Sequence, residues 1–341
     1  MDKIDILSLS LNEIKELITK LDEKAFHAEQ IFKWLSRGVT SFDEMTDLSF
    51  DLREQLKQNA YINKFKTERV LKSELDSTRK YLFKLQDGEF IESVAMKYKH
   101  GNSLCISSQA GCKMGCTFCA STIGGFKRNL TPSEMLNQIL YAKGDLNENI
   151  SNIVLMGIGE PLDNYDNVMK FLDILQHKNG INMSLRHLSL STCGIVPQIL
   201  SLAEKKLGLT LSVSLHAPNN EIRSSIMPVN KKYPLEILLD ACDYYIKKTG
   251  RRISFEYTLI KEVNDFDHCA IELATKLKNM LCHVNLISVN PVEERNHAKS
   301  SVQRVHSFEN ILTKNGINTT VRRTLGADID ASCGQLRQSR L

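Results

Sequence analysis

Three cysteines fall within eight residues in the stretch AGCKMGCTFCAS: Cys112, Cys116 and Cys119, spaced C-x3-C-x2-C. Thiolates at this spacing can converge from one loop onto one metal centre. Four protein thiolates fill the coordination of a [4Fe–4S] cluster. Three leave one iron open to chelate a substrate and pass it an electron, by the logic that separates catalytic from structural zinc sites. A structural zinc site with a fourth ligand from elsewhere is the other reading, but zinc patterns carry a second cysteine pair or a histidine pair, and no such half follows. A further cysteine, Cys333 in GADIDASCGQL, has no neighbouring thiol in sequence. Small residues and Gly334 surround it, so the segment reads as a loop able to move.

The spacing C-x3-C-x-Φ-C, with Phe118 at Φ, resembles the signature of radical S-adenosylmethionine (SAM) enzymes. The resemblance narrows with SLCISSQAGCKMGCTFCAS, GFKRNLTPSE, IVLMGIGEPLDNYDNV, SVSLHAPNNEIRSSIMPVNKKYPL and GADIDASCGQL. Together these are similar to the RNA adenine-C2 methyltransferases of the RlmN type, over essentially the whole chain. The related Cfr enzymes methylate C8 of the same ribosomal adenosine.

That resemblance implies a partial βα barrel of radical SAM type, a [4Fe–4S] cluster on Cys112, Cys116 and Cys119, and SAM contacts at Gly159, Glu160, Ser191, Ser214, Leu215, His216 and Asn290. Glu160 or a neighbouring backbone carbonyl would accept from the SAM amino group. The implied substrates are adenosine 2503 of 23S rRNA and adenosine 37 of tRNAs. C2 of adenine lies between two ring nitrogens and is electron-poor, so polar delivery of an electrophilic methyl group should fail there. A thiolate can carry the carbon instead, and the resemblance gives that role to Cys333, consuming two SAM per turnover. It makes Glu92 the proton acceptor and Cys105 the thiol that releases product by a transient disulfide with Cys333. On residue type alone, Glu92 is an ordinary strand carboxylate and Cys105 a small core hydrophobe. The other activities weighed are Cfr-type C8 methylation and an iron–sulfur electron-transfer or RNA-binding module without methyl transfer.

The elements that must position these groups can be read from periodicity. Residues 1–65 read as an all-helical N-terminal domain, with Ser10 and Glu13 spaced as a capping box and helical apolar spacing in AFHAEQIFKWLSRG. By resemblance this is an RNA-binding accessory domain. Residues 66–98 read as a linker region with a hairpin turning at Asp87-Gly88. Residues 99–341 alternate strand and helix. Six βα units imply a parallel sheet, open or curled into a partial (β/α)6 barrel. Gly159, Glu160, Ser191, Ser214, His216 and Asn290 all fall at C-terminal strand ends, where barrel chemistry sits. Thr131, Pro132 and Glu134 predict a helix start. Cys193, Cys242, Cys269 and Cys282 read as core residues.

Composition limits the class. The chain has 341 residues, 42% hydrophobic and 25% charged, with a net charge of +4, so it is globular and compatible with RNA without demanding it. KYKHGN, GGFKRNL, NKKYP and the pairs Arg251-Arg252 and Arg322-Arg323 offer basic loops for phosphates. No signal peptide or membrane-length apolar run is seen. Nine cysteines, an odd number, read as reduced thiols and ligands. The expectation is a cytoplasmic monomer without membrane association, reduced by a flavodoxin- or ferredoxin-type donor.

Overall fold

The computed structural model describes residues 3–337. Its centre is a ten-stranded sheet. Parallel strands Gly101–Cys105, Ile150–Leu155, Leu188–Thr192, Thr210–Ser214, Ile253–Leu259, Cys282–Ser288 and Thr319–Val321 lie side by side in chain order. Helices Pro132–Leu146, Tyr165–Gln176, Val196–Lys205, Leu235–Thr249, Asp267–Leu277 and Val302–Lys314 follow the first six strands. Strand Ile253–Leu259 is buried at every residue, as expected where helices cover one face and the barrel interior the other. The order of strands is open, not closed. The sheet nevertheless curls, because Arg322, just after the last strand, sets Nη1 3.8 Å from Sδ of Met156, just after the second parallel strand.

The expected hairpin forms from Arg79–Lys84 and Phe90–Tyr98, with Gly88 at φ +90° in the turn. It is not a separate linker. Phe90–Tyr98 pairs antiparallel with the first parallel strand, and a third strand, Lys66–Lys72, adds beyond Arg79–Lys84. Lys66–Lys72 escaped the sequence reading because KTERVLK lacks buried alternation. It is an exposed, charged edge, the composition that keeps edges from pairing with other chains.

The helical N-terminal region holds Leu11–Lys20, His27–Ser36 and Phe50–Asn59. Both bonds of the Ser10/Glu13 capping box are present. The region is not purely helical, since Ile4–Asp5 pairs in parallel with Ala60–Tyr61. Its apolar faces join the barrel in one continuous core, from Ile6 and Phe32 to Phe171 and Leu136. Polar ties reinforce the seam: Ser133 Oγ donates to Asp5 Oδ2 at 2.5 Å, and Lys170 meets Glu13 at 2.7 Å. No helix among the described residues is long and apolar enough to cross a membrane.

Candidate active site

The cysteine loop leaves the first parallel strand and is pinned at both ends. Gln109–Ala110 pairs antiparallel with Arg128–Asn129, and Thr117 N–H donates to Ile226 C=O at 2.9 Å. Gly111 and Gly115 take left-handed φ of +74° and +73°, which lets the short loop turn back on itself. Cys112, Cys116 and Cys119 then face one shared, partly open cavity. Burial pushes the Cys112 thiol up to about 12, and Cys116 and Cys119 upward as well. Thiolates in such a setting are stable only against a cationic centre. Among the described residues no three or more His, Cys, Asp or Glu side chains gather tightly enough for one metal ion. A zinc ion with bonds of about 2.3 Å needs sulfurs within about 4 Å of each other. Three thiols from one loop around a shared cavity are the donor set of a multi-iron cluster with one open iron.

The loop after the second parallel strand forms one wall. Gly157 and Gly159 are required there. A Cβ on Gly157 would lie 2.7 Å from the backbone of Ile106, and one on Gly159, at φ +106°, 2.5 Å from Gln109 Cβ. Glu160 is buried, and its carboxylate is already engaged. Oε1 accepts from Leu162 N–H at 3.0 Å and Oε2 from Cys193 N–H at 2.7 Å. Burial raises its pKa from the ordinary value. Ser191, Ser214 and Asn290 line the same cavity. His216 does so from a left-handed backbone (φ +56°). Its Nδ1 accepts from Thr258 N–H at 2.8 Å, so the proton sits on Nε2. Burial, with the Arg223 charge adding, lowers its pKa to about 3, leaving the ring neutral. Leu215 is different. It does not border the cavity. Its side chain is in the core, its N–H donates to Glu256 C=O, and its carbonyl accepts from Arg223.

Cys333 is exposed and lies at the mouth of this cavity. It also lines a second cavity with Cys105, Tyr98 and Arg322. The segment that carries it is tied down on both sides: Asn290 Nδ2 donates to Cys333 C=O at 2.9 Å, Ala120 N–H to Gly334 C=O at 2.7 Å, and Ser121 Oγ to Leu336 C=O at 2.7 Å. All nine cysteines are free thiols. Burial pushes Cys105 up to about 12, with the nearby Cys333 sulfur adding.

Glu92 stands apart from the cysteines. It opens on another cavity, of about 790 Å³, lined by Lys80, Arg69 and Asp330. Its Oε1 is 3.0 Å from Lys80 Nζ, and Oε2 accepts from Arg337 N–H at 2.9 Å. Burial raises its pKa, with Lys80 acting against the rise. Its strand is positioned by a buried network: Gln138 Oε1 accepts from Ser93 Oγ and Ser107 N–H, and Ser107 Oγ donates to Glu92 C=O at 2.6 Å. The segment from Gly326 to Arg337 therefore lies between Glu92 and the cluster cavity, touching both.

Several residues carry more than the sequence reading assigned. Cys193, expected in the core, lines the cluster cavity, and its thiol bonds to the Glu160 carboxylate. Arg322, expected on a phosphate-binding loop, is drawn inward to Cys333 and to Glu256, 3.5 Å away. Arg128 in GGFKRNL is held by Asp87 and by both oxygens of Glu134. It fastens the hairpin turn to a helix start. No local pattern marks most of these roles, because the partners are remote in sequence, save Glu134, six residues from Arg128.

A sequence model of the radical SAM superfamily matches residues 106–274, and one of the ribosomal RNA large subunit methyltransferase N-terminal domain matches residues 4–62. A probable dual-specificity RNA methyltransferase RlmN of Alkaliphilus oremlandii is 57% identical over 341 residues, covering 100% of this chain and 99% of that protein. The one from Clostridium novyi is 51% identical over 336 residues, 98% of each chain. The crystal structure of a radical SAM methyltransferase from Sphaerobacter thermophilus superposes with a TM-score of 0.94 at 41% identity, covering 98% of this chain and 99% of that one. This chain belongs to the RlmN family of radical SAM enzymes, whose cofactors are a [4Fe–4S] cluster and S-adenosylmethionine.

Proposed function

We propose that this chain methylates C2 of an adenine in RNA, adenosine 2503 of 23S rRNA and adenosine 37 of tRNAs, with Cys333 carrying the transferred carbon. The relatives' dual-specificity RNA methyltransferase names support the substrate class. The observation that carries the mechanism is the place of Cys333 on the boundary between the three-thiol cavity and the cavity of Cys105. Cys112, Cys116 and Cys119 would hold the cluster. Gly159, Glu160, Ser191, Ser214, Leu215, His216 and Asn290 would shape the SAM site, with the Nε2–H of His216 a neutral donor and Leu215 acting through its backbone behind the cavity wall.

When bound, the cofactors supply the methyl group, one electron that is later taken back, and the radical that removes one hydrogen atom from the carried carbon. Cys333 attacks as a thiolate, forming the S–CH3 bond as the carbon–sulfonium bond breaks. Once the carbon is joined to C2, Glu92 accepts the C2 proton. Cys105 then attacks the Cys333 sulfur. The Cys105–Cys333 disulfide forms, the sulfur–carbon bond breaks, and the carbon leaves as a methyl group after taking up a proton. A dithiol reductant restores both thiols. For Glu92 to use Oε2 in this step, the Arg337 N–H that now donates to it must be released. Residues 1–65 would bind RNA, residues 66–98 would extend the sheet, and residues 99–341 would do the chemistry. The working form is a cytoplasmic monomer reduced by a flavodoxin- or ferredoxin-type protein.

The test is mass spectrometry of anaerobically reconstituted enzyme after a single SAM addition, followed by RNA. The Cys333 peptide should gain one methyl group, and the RNA a C2-methyl adenine. A Cys333→Ala variant with full turnover would sink the mechanism, and methylation at C8 would move the chain to the Cfr activity.

A further inference from the structure

Arg223 is completely buried, the largest side chain among the described residues to be so. Its guanidinium has four bonds, all to neutral oxygens: Nε to Leu215 C=O at 3.1 Å, Nη1 to Asn230 Oδ1 at 2.9 Å, and Nη2 to Cys193 C=O at 2.7 Å and Ser214 C=O at 3.1 Å. None of these partners is a carboxylate. Arginine stays protonated in proteins, and an unpaired buried cation is costly enough that structures almost always supply an anion. Burial lowers the Arg223 pKa, and the groups that act against that are the sulfurs of Cys193, Cys116 and Cys242.

Three of the oxygens it holds belong to the wall of the three-thiol cavity or to the residue beside it. Ser214 and Cys193 border that cavity, and Leu215 separates Ser214 from His216. The guanidinium thus stands behind the wall that Cys193 and Ser214 form, in the cavity that Cys116 also lines. Glu160 grips the other end of Cys193, through its N–H at 2.7 Å. Both Glu160 oxygens are taken by the N–H groups of Leu162 and Cys193, and none of the four Arg223 bonds reaches them. The missing anion is therefore across the wall. An iron–sulfur cluster with three thiolate ligands carries net negative charge, and more of it after one-electron reduction.

We propose that Arg223 is the buried countercharge of the cluster, stabilising its reduced form and holding its reduction potential up. Net charge and surroundings set such potentials, and a fixed cation behind a dry wall is only weakly screened. Arg223 touches no reacting atom, so it acts as a positioning and electrostatic residue. The inference rests on the cluster ligation proposed for Cys112, Cys116 and Cys119.

The test is a spectroelectrochemical titration of the reconstituted cluster, with a viologen-mediated reductant and electron paramagnetic resonance as the readout. Arg223→Gln should lower the ratio of reduced to oxidised cluster at a fixed solution potential about tenfold, equal to about 59 mV for a one-electron couple. Arg223→Lys, which keeps the charge, should stay near wild type. Asn230→Asp keeps Arg223 and places a carboxylate where an amide oxygen now lies 2.9 Å from Nη1. It should move the potential down in the same direction, and it carries the test if Arg223→Gln does not fold. An unchanged potential in Asn230→Asp and Arg223→Gln with full iron content overturns the proposal. So does an Arg223→Lys shift as large as that of Arg223→Gln, since shape and not charge would then matter. Wild-type protein that takes up no iron and sulfide under anaerobic reconstitution would overturn the ligation reading itself, a separately visible failure.

Discussion

Replacing Lys80 with Met exposes how the carboxylate of Glu92 is held. Lys80 Nζ and Glu92 Oε1 are 3.0 Å apart, with side chains 9% and 6% exposed. Two unit charges at that distance attract by about 5 kcal/mol at an effective dielectric of about 20. Part of this returns when the cation goes, because Arg337 N–H still donates to Oε2 and water can enter the adjoining cavity. We expect a net loss of about 3 kcal/mol at pH 8, in the range for breaking a buried pair. The sign of the pH dependence follows from linkage. Burial already raises the Glu92 pKa, and removing Lys80 raises it further. Between the unfolded carboxyl pKa and the folded one, the folded state binds more protons, so stability falls as pH rises. The deficit of Lys80→Met is therefore largest at pH 8 and shrinks toward pH 5. Urea unfolding of the anaerobic holoprotein at both pH values measures it, with Lys80→Arg as the charge-keeping control. In turnover, the acid limb of the pH–rate profile should move to higher pH in Lys80→Met. An equal stability loss at pH 5 and pH 8, with an unmoved acid limb, would show that Lys80 contributes packing alone.

Gly159→Ala should cost about 2–4 kcal/mol and abolish SAM binding, since its Cβ would meet Gln109 at 2.5 Å from a left-handed backbone; thermal unfolding and equilibrium dialysis of the holoprotein read both. His216, with a pKa of about 3, should keep constant imidazole NMR shifts from pH 5 to pH 8. A titration midpoint near 6.5 would show that the ring is solvated. Cys105→Ala should leave RNA covalently attached through Cys333, visible as a slow-migrating, nuclease-sensitive band, while wild type releases its product.

Local signals in the sequence translated directly into structure. The capping boxes at Ser10 and at Thr131 formed because partners three residues apart need no tertiary information. The order of strands and the convergence of Cys112, Cys116 and Cys119 were readable for the same reason: periodicity and spacing are short-range properties. Long-range pairing was not. KTERVLK gave no sign that Lys66–Lys72 extends the sheet, because an exposed edge strand lacks an apolar face. Leu215 sits in a functional motif yet turns into the core, as the strand alternation of Ser214 and Leu215 dictates once the barrel interior is known. Arg128 and Arg322 looked like phosphate ligands, but carboxylates had claimed them, Asp87 and Glu256 from far along the chain and Glu134 from six residues away. Arg223 and Cys193 carried no signal beyond residue type, because what makes each notable is a lack of ordinary surroundings.

The Gly326–Arg337 segment also bears on how the molecule folds. Besides its ties to Asn290, Ala120 and Ser121, it is anchored at the antiparallel end of the sheet: Ser73 to Asp328 spans 255 residues, Asp76 to Gly326 spans 250, and Glu92 to Arg337 spans 245. Contacts of such separation pay their loop-closure entropy before any of them is rewarded. Each parallel strand can pair with its predecessor as the chain emerges, whereas this segment has no docking surface until both edges of the sheet exist. Cys333 is thus expected to reach its place last, and a chain stalled in folding would hold the Cys112–Cys119 loop without it.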